Sequence, residues 1–200
     1  MYFSLSHRAG NDNGNGSEWR NDCKYLFSGL FSLNGRRVMD ASQTPLPKVS
    51  APVFRGVTQL ALDSKGRLAV PSRYREVLHL HGEGHLVITA DPSRCLLVYP
   101  QPVWEPIQEK LMALSSFDER IRALQRLLVG YADDVALDGA GRVLVSPALR
   151  QYAQLEHRVV LVGQGGHFEL WDEGLWQAQM AQAVCLTHDD LPPVLDGFSL

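Results

Sequence analysis

The chain has 200 residues, is 45% hydrophobic and carries a formal net charge of −3. That length fits one large domain or two small ones, and that apolar share supports a packed core rather than wholesale disorder. The sequence has no apolar run long enough for a membrane-spanning helix. It begins MYFSLSHRAGNDNGNG, which is not the pattern of a secretory signal.

Residues 1–52 differ in character from the rest of the chain. GNDNGNGS is low-complexity and polar, and TPLPKVSAP is proline-rich, so both read as linker or disordered extension. KYLFSGLFSL (24–33) is apolar enough for a short helix or strand but has no partner segment nearby. At Val53 dense strand patterning begins, which places a domain boundary near residues 50–54.

VTQLALD then alternates as a strand does. Asp63-Ser64-Lys65-Gly66 has turn chemistry, because Asp can cap its own backbone and Gly accepts a positive φ. Arg67–Val70 resumes a strand. Pro71 suits the entry to a helix over roughly 72–80. HLVIT (85–89) and CLLVY (95–99) are two further strands, and PQPVWEPIQEKLMAL (100–114) is a helix. FDERIRALQRLLVGYA places Ile121, Leu124, Leu127 and Leu128 at helical spacing, with Gly130 as a stop.

The plan then repeats. LALDSKGRLAVPSRYR (60–75) is answered by VALDGAGRVLVSPALR (135–150) at a constant offset of 75, so that Asp63, Gly66, Arg67 and Arg75 correspond to Asp138, Gly141, Arg142 and Arg150. A helix in SPALRQYAQL, strands RVVLVG (158–163) and HFELW (167–171), and a helix over DEGLWQAQMAQAV (172–184) complete the second copy. Trp104 and Trp176 open the two closing helices and read as core side chains. A duplicated strand–turn–strand–helix–strand–strand unit predicts a two-fold pseudo-symmetric barrel or sandwich.

The chemistry-bearing motifs are sparse. There is no nucleophile elbow, phosphate-binding loop, dinucleotide fingerprint or zincin motif, so nothing in the sequence supports an enzyme. His79, His81 and His85 bracket a glycine-rich turn without a counterpart in the second repeat, and read as surface or packing residues rather than metal ligands. Asp133 and Asp134 are adjacent on a strand and face apart. Three widely spaced cysteines, Cys23, Cys95 and Cys185, fit a reducing, cytoplasmic setting.

D-x-x-G-R supports two readings. In one, Asp starts the turn and Arg returns to pair with it, so the motif is structural. In the other, Arg contacts DNA. Six of the chain's Lys/Arg and four of its Asp/Glu fall in residues 1–52, which leaves residues 53–200 net acidic. Within that acidic stretch Lys65, Arg67, Arg73 and Arg75 form a local basic cluster, and Arg matches guanine or phosphate bidentately. The second repeat keeps Arg142 but has Ala140 and Ala148 where the first has Lys65 and Arg73.

FRGVTQLALDSKGRLAVPSRYR, LQRLLVGYA, ALDGAGRVLVSPALRQYAQL, VVLVGQGGHFELWD and the closing LDGFSL, in that order, resemble the MraZ family of bacterial transcriptional regulators. The resemblance covers residues 53–200. It implies an α+β, β-rich fold. Two SpoVT/AbrB-like swapped-hairpin repeats (57–103 and 132–175) would form a pseudo-dimeric barrel, with a helical connector (104–131) and a C-terminal helix and tail (176–200) packed against it. It further implies a ring-shaped homo-oligomer associated with the nucleoid. Such a ring would bind double-stranded DNA at direct repeats upstream of the family's own division and cell-wall operon, as a repressor, without a cofactor. The family's DNA-facing D-x-x-x-R elements fall on Asp63–Arg67 and Asp138–Arg142, with Asp63, Gly66, Asp138 and Gly141 building the turns; together with the basic cluster, the expected DNA-binding residues are Lys65, Arg67, Arg73, Arg75 and Arg142. Family chains begin at the residue matching Val53, so residues 1–52 are either a true extension or lie before a start at Val53. The competing functions are an oligomeric interaction scaffold and an AbrB-like antitoxin that binds a protein partner.

Overall fold

The computed structural model describes residues 52–185. The polar start of the chain, KYLFSGLFSL, Cys23 and the closing LDGFSL lie outside the described residues. In chain order the elements are β1 (Phe54–Ala61), β2 (Arg67–Ala69), α1 (Ser72–Gly82), β3 (His85–Ala90), β4 (Leu96–Pro100), α2 (Gln101–Met112), α3 (Glu119–Leu128), β5 (Asp133–Ala136), β6 (Arg142–Leu144), α4 (Pro147–Tyr152), β7 (Arg158–Gly165), β8 (Phe168–Asp172) and α5 (Glu173–Val184). Asp118 and Asp172 cap α3 and α5, their carboxylates accepting from backbone N–H groups of the first turn at 2.8 Å (Arg120) and 2.9 Å (Gly174).

Six strands form one antiparallel sheet in the order β1-β7-β8-β4-β3-β5, while β2 and β6 pair separately. The two repeats exchange their first strands. β1 pairs with β7 of the second repeat, and β5 pairs with β3 of the first. The β4–β8 pairing joins the halves at the centre. This is an α+β fold built from two interleaved copies of one unit.

The sheet is open rather than closed. Among the described residues no pairing joins the edge strands β1 and β5, so the barrel expected from the duplication is not formed by strand pairing. The physical reason lies in the strand sequences. Successive residues on β3, β4 and β7 enter two different cores: Leu86, Ile88, Leu96, Val98, Val159 and Leu161 on one face, Val87, Leu97, Tyr99, Val160 and Val162 on the other. The first face is covered by the β2–β6 ribbon with α1 and α4, and the second by α2, α3 and α5. A strand buried on both faces reads as a continuous apolar run instead of an alternation.

Aromatic packing anchors both layers. Phe54, Tyr74 and Phe168 meet with centroids 4.2–6.0 Å apart in the inner core. Trp104 lies against Tyr99 and Trp176 against Trp171 in the outer one. Of the α3 stripe, Leu124 and Leu128 pack there, while Ile121 and Leu127 stay half-buried. The buried Thr89 hydroxyl donates to the Leu128 carbonyl at 2.5 Å and fixes the end of α3 to β3.

Candidate nucleic-acid interface

Two turns of one design carry the ribbon. In the first, the Gly66 N–H donates to the Asp63 carbonyl at 2.9 Å. Asp63 Oδ1 accepts the backbone N–H groups of Lys65 and Arg67, each at 2.9 Å, and Oδ2 accepts Arg67 Nε at 2.7 Å. In the second, Asp138 Oδ1 accepts from Ala140 and Arg142 at 2.9 Å, and Oδ2 accepts Arg142 Nε at 2.8 Å. These donors favour the charged carboxylate. The Arg67 backbone N–H is the largest of the influences that hold the Asp63 carboxyl down to about 2, and the Arg142 side chain leads those that lower Asp138.

The strands leaving the turns pair antiparallel, with Arg67 opposite Leu144, Leu68 opposite Val143 and Ala69 opposite Arg142. Leu68 and Val143 point into the inner core, each 1% exposed. The alternation of a strand therefore puts Arg67, Ala69, Arg142 and Leu144 on the outer face. Arg67 and Arg142 are diagonal neighbours across the pair, about 7–8 Å apart. Their side chains are 31% and 36% exposed.

Each aspartate orients its arginine by the Nε edge. Among the described residues, neither terminal nitrogen of Arg67 has a hydrogen-bond partner, and on Arg142 only Nη2 approaches Asp138. The structural reading of D-x-x-G-R is thus realised in the bond pattern, and the same bonds leave both terminal nitrogens of Arg67 without a partner among the described residues. Lys65 is exposed at the turn, and no ion pair involves it among the described residues.

Arg75 and Arg73 lie elsewhere. Arg75 is half-buried. Its Nε donates to the Val70 carbonyl at 2.8 Å, and its guanidinium lies against Gly141 of the other repeat. Arg150 repeats the arrangement, donating to the Val145 carbonyl at 3.1 Å and packing on Gly66. A Cβ on Gly66 would stand 2.7 Å from Arg150 Cζ, and Gly66 and Gly141 have φ of +79° and +73°, so both demands favour glycine. The two arginines cross-brace the two turns. Their charge meets no carboxylate among the described residues, so it adds positive potential behind the ribbon. Arg73 is exposed but turned toward β1, donating to Thr58 Oγ1 at 2.6 Å. His79 and His81 fall in the last turn of α1, and His85 opens β3.

Sequence spacing pairs Arg75 with Arg150 yet gives no sign that each lies under the other repeat's turn. Leu144 likewise carries no sequence signal, since only the strand pairing brings it to the ribbon face beside Arg67.

These features define a class: an internally duplicated chain whose interleaved halves jointly build one two-stranded, arginine-bearing ribbon. The sequence profile described as "MraZ protein, putative antitoxin-like" matches residues 53–127 and again residues 128–190. The transcriptional regulator MraZ of Methylobacillus flagellatus is 61% identical over 148 residues, which is 74% of this chain and 100% of that protein. The proteins of the same name from Nitrosospira multiformis and Nitrosomonas eutropha are 60% and 57% identical over the same shares. The chain belongs to the MraZ family. Among the described residues, no helix is long and apolar enough to cross a membrane.

Proposed function

We propose that this chain is a sequence-specific DNA-binding transcriptional regulator that reads the major groove with the β2–β6 ribbon. The observation that carries the reading is the outer face of that ribbon. Two diagonal arginines, each held by an aspartate through Nε, share one exposed surface with Arg67's terminal nitrogens unengaged. A two-stranded ribbon fits the major groove. An arginine held by one edge loses less freedom when its terminal fork meets guanine. Lys65 supplies a phosphate contact at the rim. Arg75 and Arg150 hold the turns, and Arg73 adds charge at a distance.

The regulatory role follows the names of the relatives, and its finer form is repression of the chain's own division and cell-wall operon through upstream direct repeats. One ribbon offers few contacts. A ring of subunits on tandem sites multiplies them, which supports tight binding by a chain of net negative charge. Residues 1–52 are proposed to be dispensable for this.

The test is Arg67→Ala, followed by gel shift on the DNA upstream of the gene, with melting temperature and light-scattering mass on the same sample. A bidentate guanine contact is worth about 1–3 kcal/mol, repeated at each engaged subunit. Operator binding should be lost while mass stays well above the 22.3 kDa of one chain. Melting temperature should change little, because an exposed ion pair contributes little. If Arg67→Ala instead lowers DNA binding only in step with folding and assembly, Arg67 is a brace and the proposal fails.

A further inference from the structure

Resting on the ribbon's proposed role in reading DNA, we infer that Leu144 is a specificity-determining residue that takes the C5-methyl of a thymine beside the base read by Arg67. Leu144 is 51% exposed on a three-residue strand whose middle residue, Val143, is fully buried. A single exposed leucine is ordinary on a protein surface. Its position is what gives this one a role. The Val145 N–H donates to the Gly66 carbonyl and the Val70 N–H to the Gly141 carbonyl, both at 3.0 Å. Hydrogen-bonded and non-hydrogen-bonded pairs alternate in an antiparallel ladder, so Arg67 and Leu144 form a non-hydrogen-bonded pair. In such pairs the Cα atoms are about 4.5 Å apart and the side chains closest. The isobutyl group therefore leaves the ribbon directly across from Arg67 on the same outer face.

The pseudo-two-fold of the ribbon exchanges Arg67 with Arg142 and Ala69 with Leu144. Arg67 thus has a leucine across from it, and Arg142 has only Ala69. Lys65 and Ala140 break the symmetry in the same sense, since both larger side chains attend Arg67. The face is a two-by-two array with one arginine–leucine row and one alanine–arginine row. On the major-groove edge the only apolar feature is the thymine methyl. A leucine can bury that methyl, whereas the alanine of the other row is too short to reach as far. The element read by one ribbon is then non-palindromic, and the orientation of each chain on DNA is fixed.

The experiment removes only the methyl. Short duplexes from the DNA upstream of the chain's own gene are titrated with the full chain by fluorescence anisotropy, replacing each thymine in turn with deoxyuridine. For the wild type, uridine at one position in each bound element should weaken binding about fourfold, the loss expected for one buried carbon. Leu144→Ala should bind the thymine duplex more weakly and show no further loss with uridine. Leu144→Asn, which keeps the length of the side chain but presents no methyl group, should behave alike, both with unchanged melting temperature and oligomer mass. If the wild type tolerates uridine everywhere, or the uridine penalty survives in Leu144→Ala, the inference is overturned. If Leu144→Ala instead alters the mass and spares the DNA response, the residue is an assembly contact and the inference is equally overturned. Loss of binding in Arg67→Ala in either case leaves the ribbon reading standing. Binding retained in Arg67→Ala would overturn both.

Discussion

Replacing Gly66 with alanine puts a methyl group where the Arg150 guanidinium now lies, at two separate costs. A left-handed φ of +79° strains an L-residue by about 1–2 kcal/mol. The methyl also displaces Arg150, whose Cζ would be 2.7 Å away, and breaks its hydrogen bond to the Val145 carbonyl. A half-buried bond from a charged donor to a neutral carbonyl is worth about 1–2 kcal/mol, between the neutral and the charged cases. The sum is about 2–4 kcal/mol. Gly165 provides the control, because its φ is +73° and nothing stands within 4 Å of its missing Cβ, so Gly165→Ala should cost the strain alone. In an Arg150→Ala background the clash disappears, and Gly66→Ala should fall to the Gly165→Ala value. Urea unfolding of the two single variants, the double variant and the control measures all four quantities. Equal costs for Gly66→Ala in both backgrounds, matching Gly165→Ala throughout, would refute the cross-brace.

The remaining expectations are narrower. Asp63 has a folded value near 2 against an ordinary 3.8, so its turn contribution is complete above about pH 4 and is lost as pH falls toward 2; an NMR titration following the Arg67 Nε–H should show that midpoint. Thr89→Val leaves the Leu128 carbonyl without its buried donor and should cost about 1–2 kcal/mol in denaturant unfolding. Burial drives the Cys95 thiol far above its ordinary pKa, whereas Cys185 is exposed, so iodoacetamide followed by peptide mass mapping should label Cys185 and spare Cys95 until the chain is unfolded. Arg142→Ala should weaken DNA binding less than Arg67→Ala in the same gel shift, because Ala140 and Ala69 leave it without basic or large apolar neighbours.

Local patterning carried much of this fold. The 75-residue offset located both turns, and expected helices over 72–80, 100–114 and 172–184 correspond to Ser72–Gly82, Gln101–Met112 and Glu173–Val184. Partner choice was not legible. Periodicity says that Phe54–Ala61 is a strand but is silent on its pairing with β7 rather than with its own repeat. The open sheet was written in HLVIT, CLLVY and RVVLVG, whose unbroken apolar runs mark strands covered on both faces. At the site, the aspartate-to-arginine bond followed from the turn motif. The roles of Arg75, Arg150 and Leu144 depend on contacts between repeats, and no local signal encodes those.

The exchange of first strands sets the order in which this protein can be made. β1 is among the earliest described segments to leave the ribosome, yet Phe54 pairs with Gly165, about 110 residues further on. Until then a strand with Phe54, Thr58 and Leu60 waits without its ladder, and β3 and β4 can form only a hairpin. Closing so long a loop before its contacts form slows folding. The chain therefore cannot complete its sheet until β7 has been made. A cut between α2 and α3 would yield two halves that each lack a strand partner and regain structure only together.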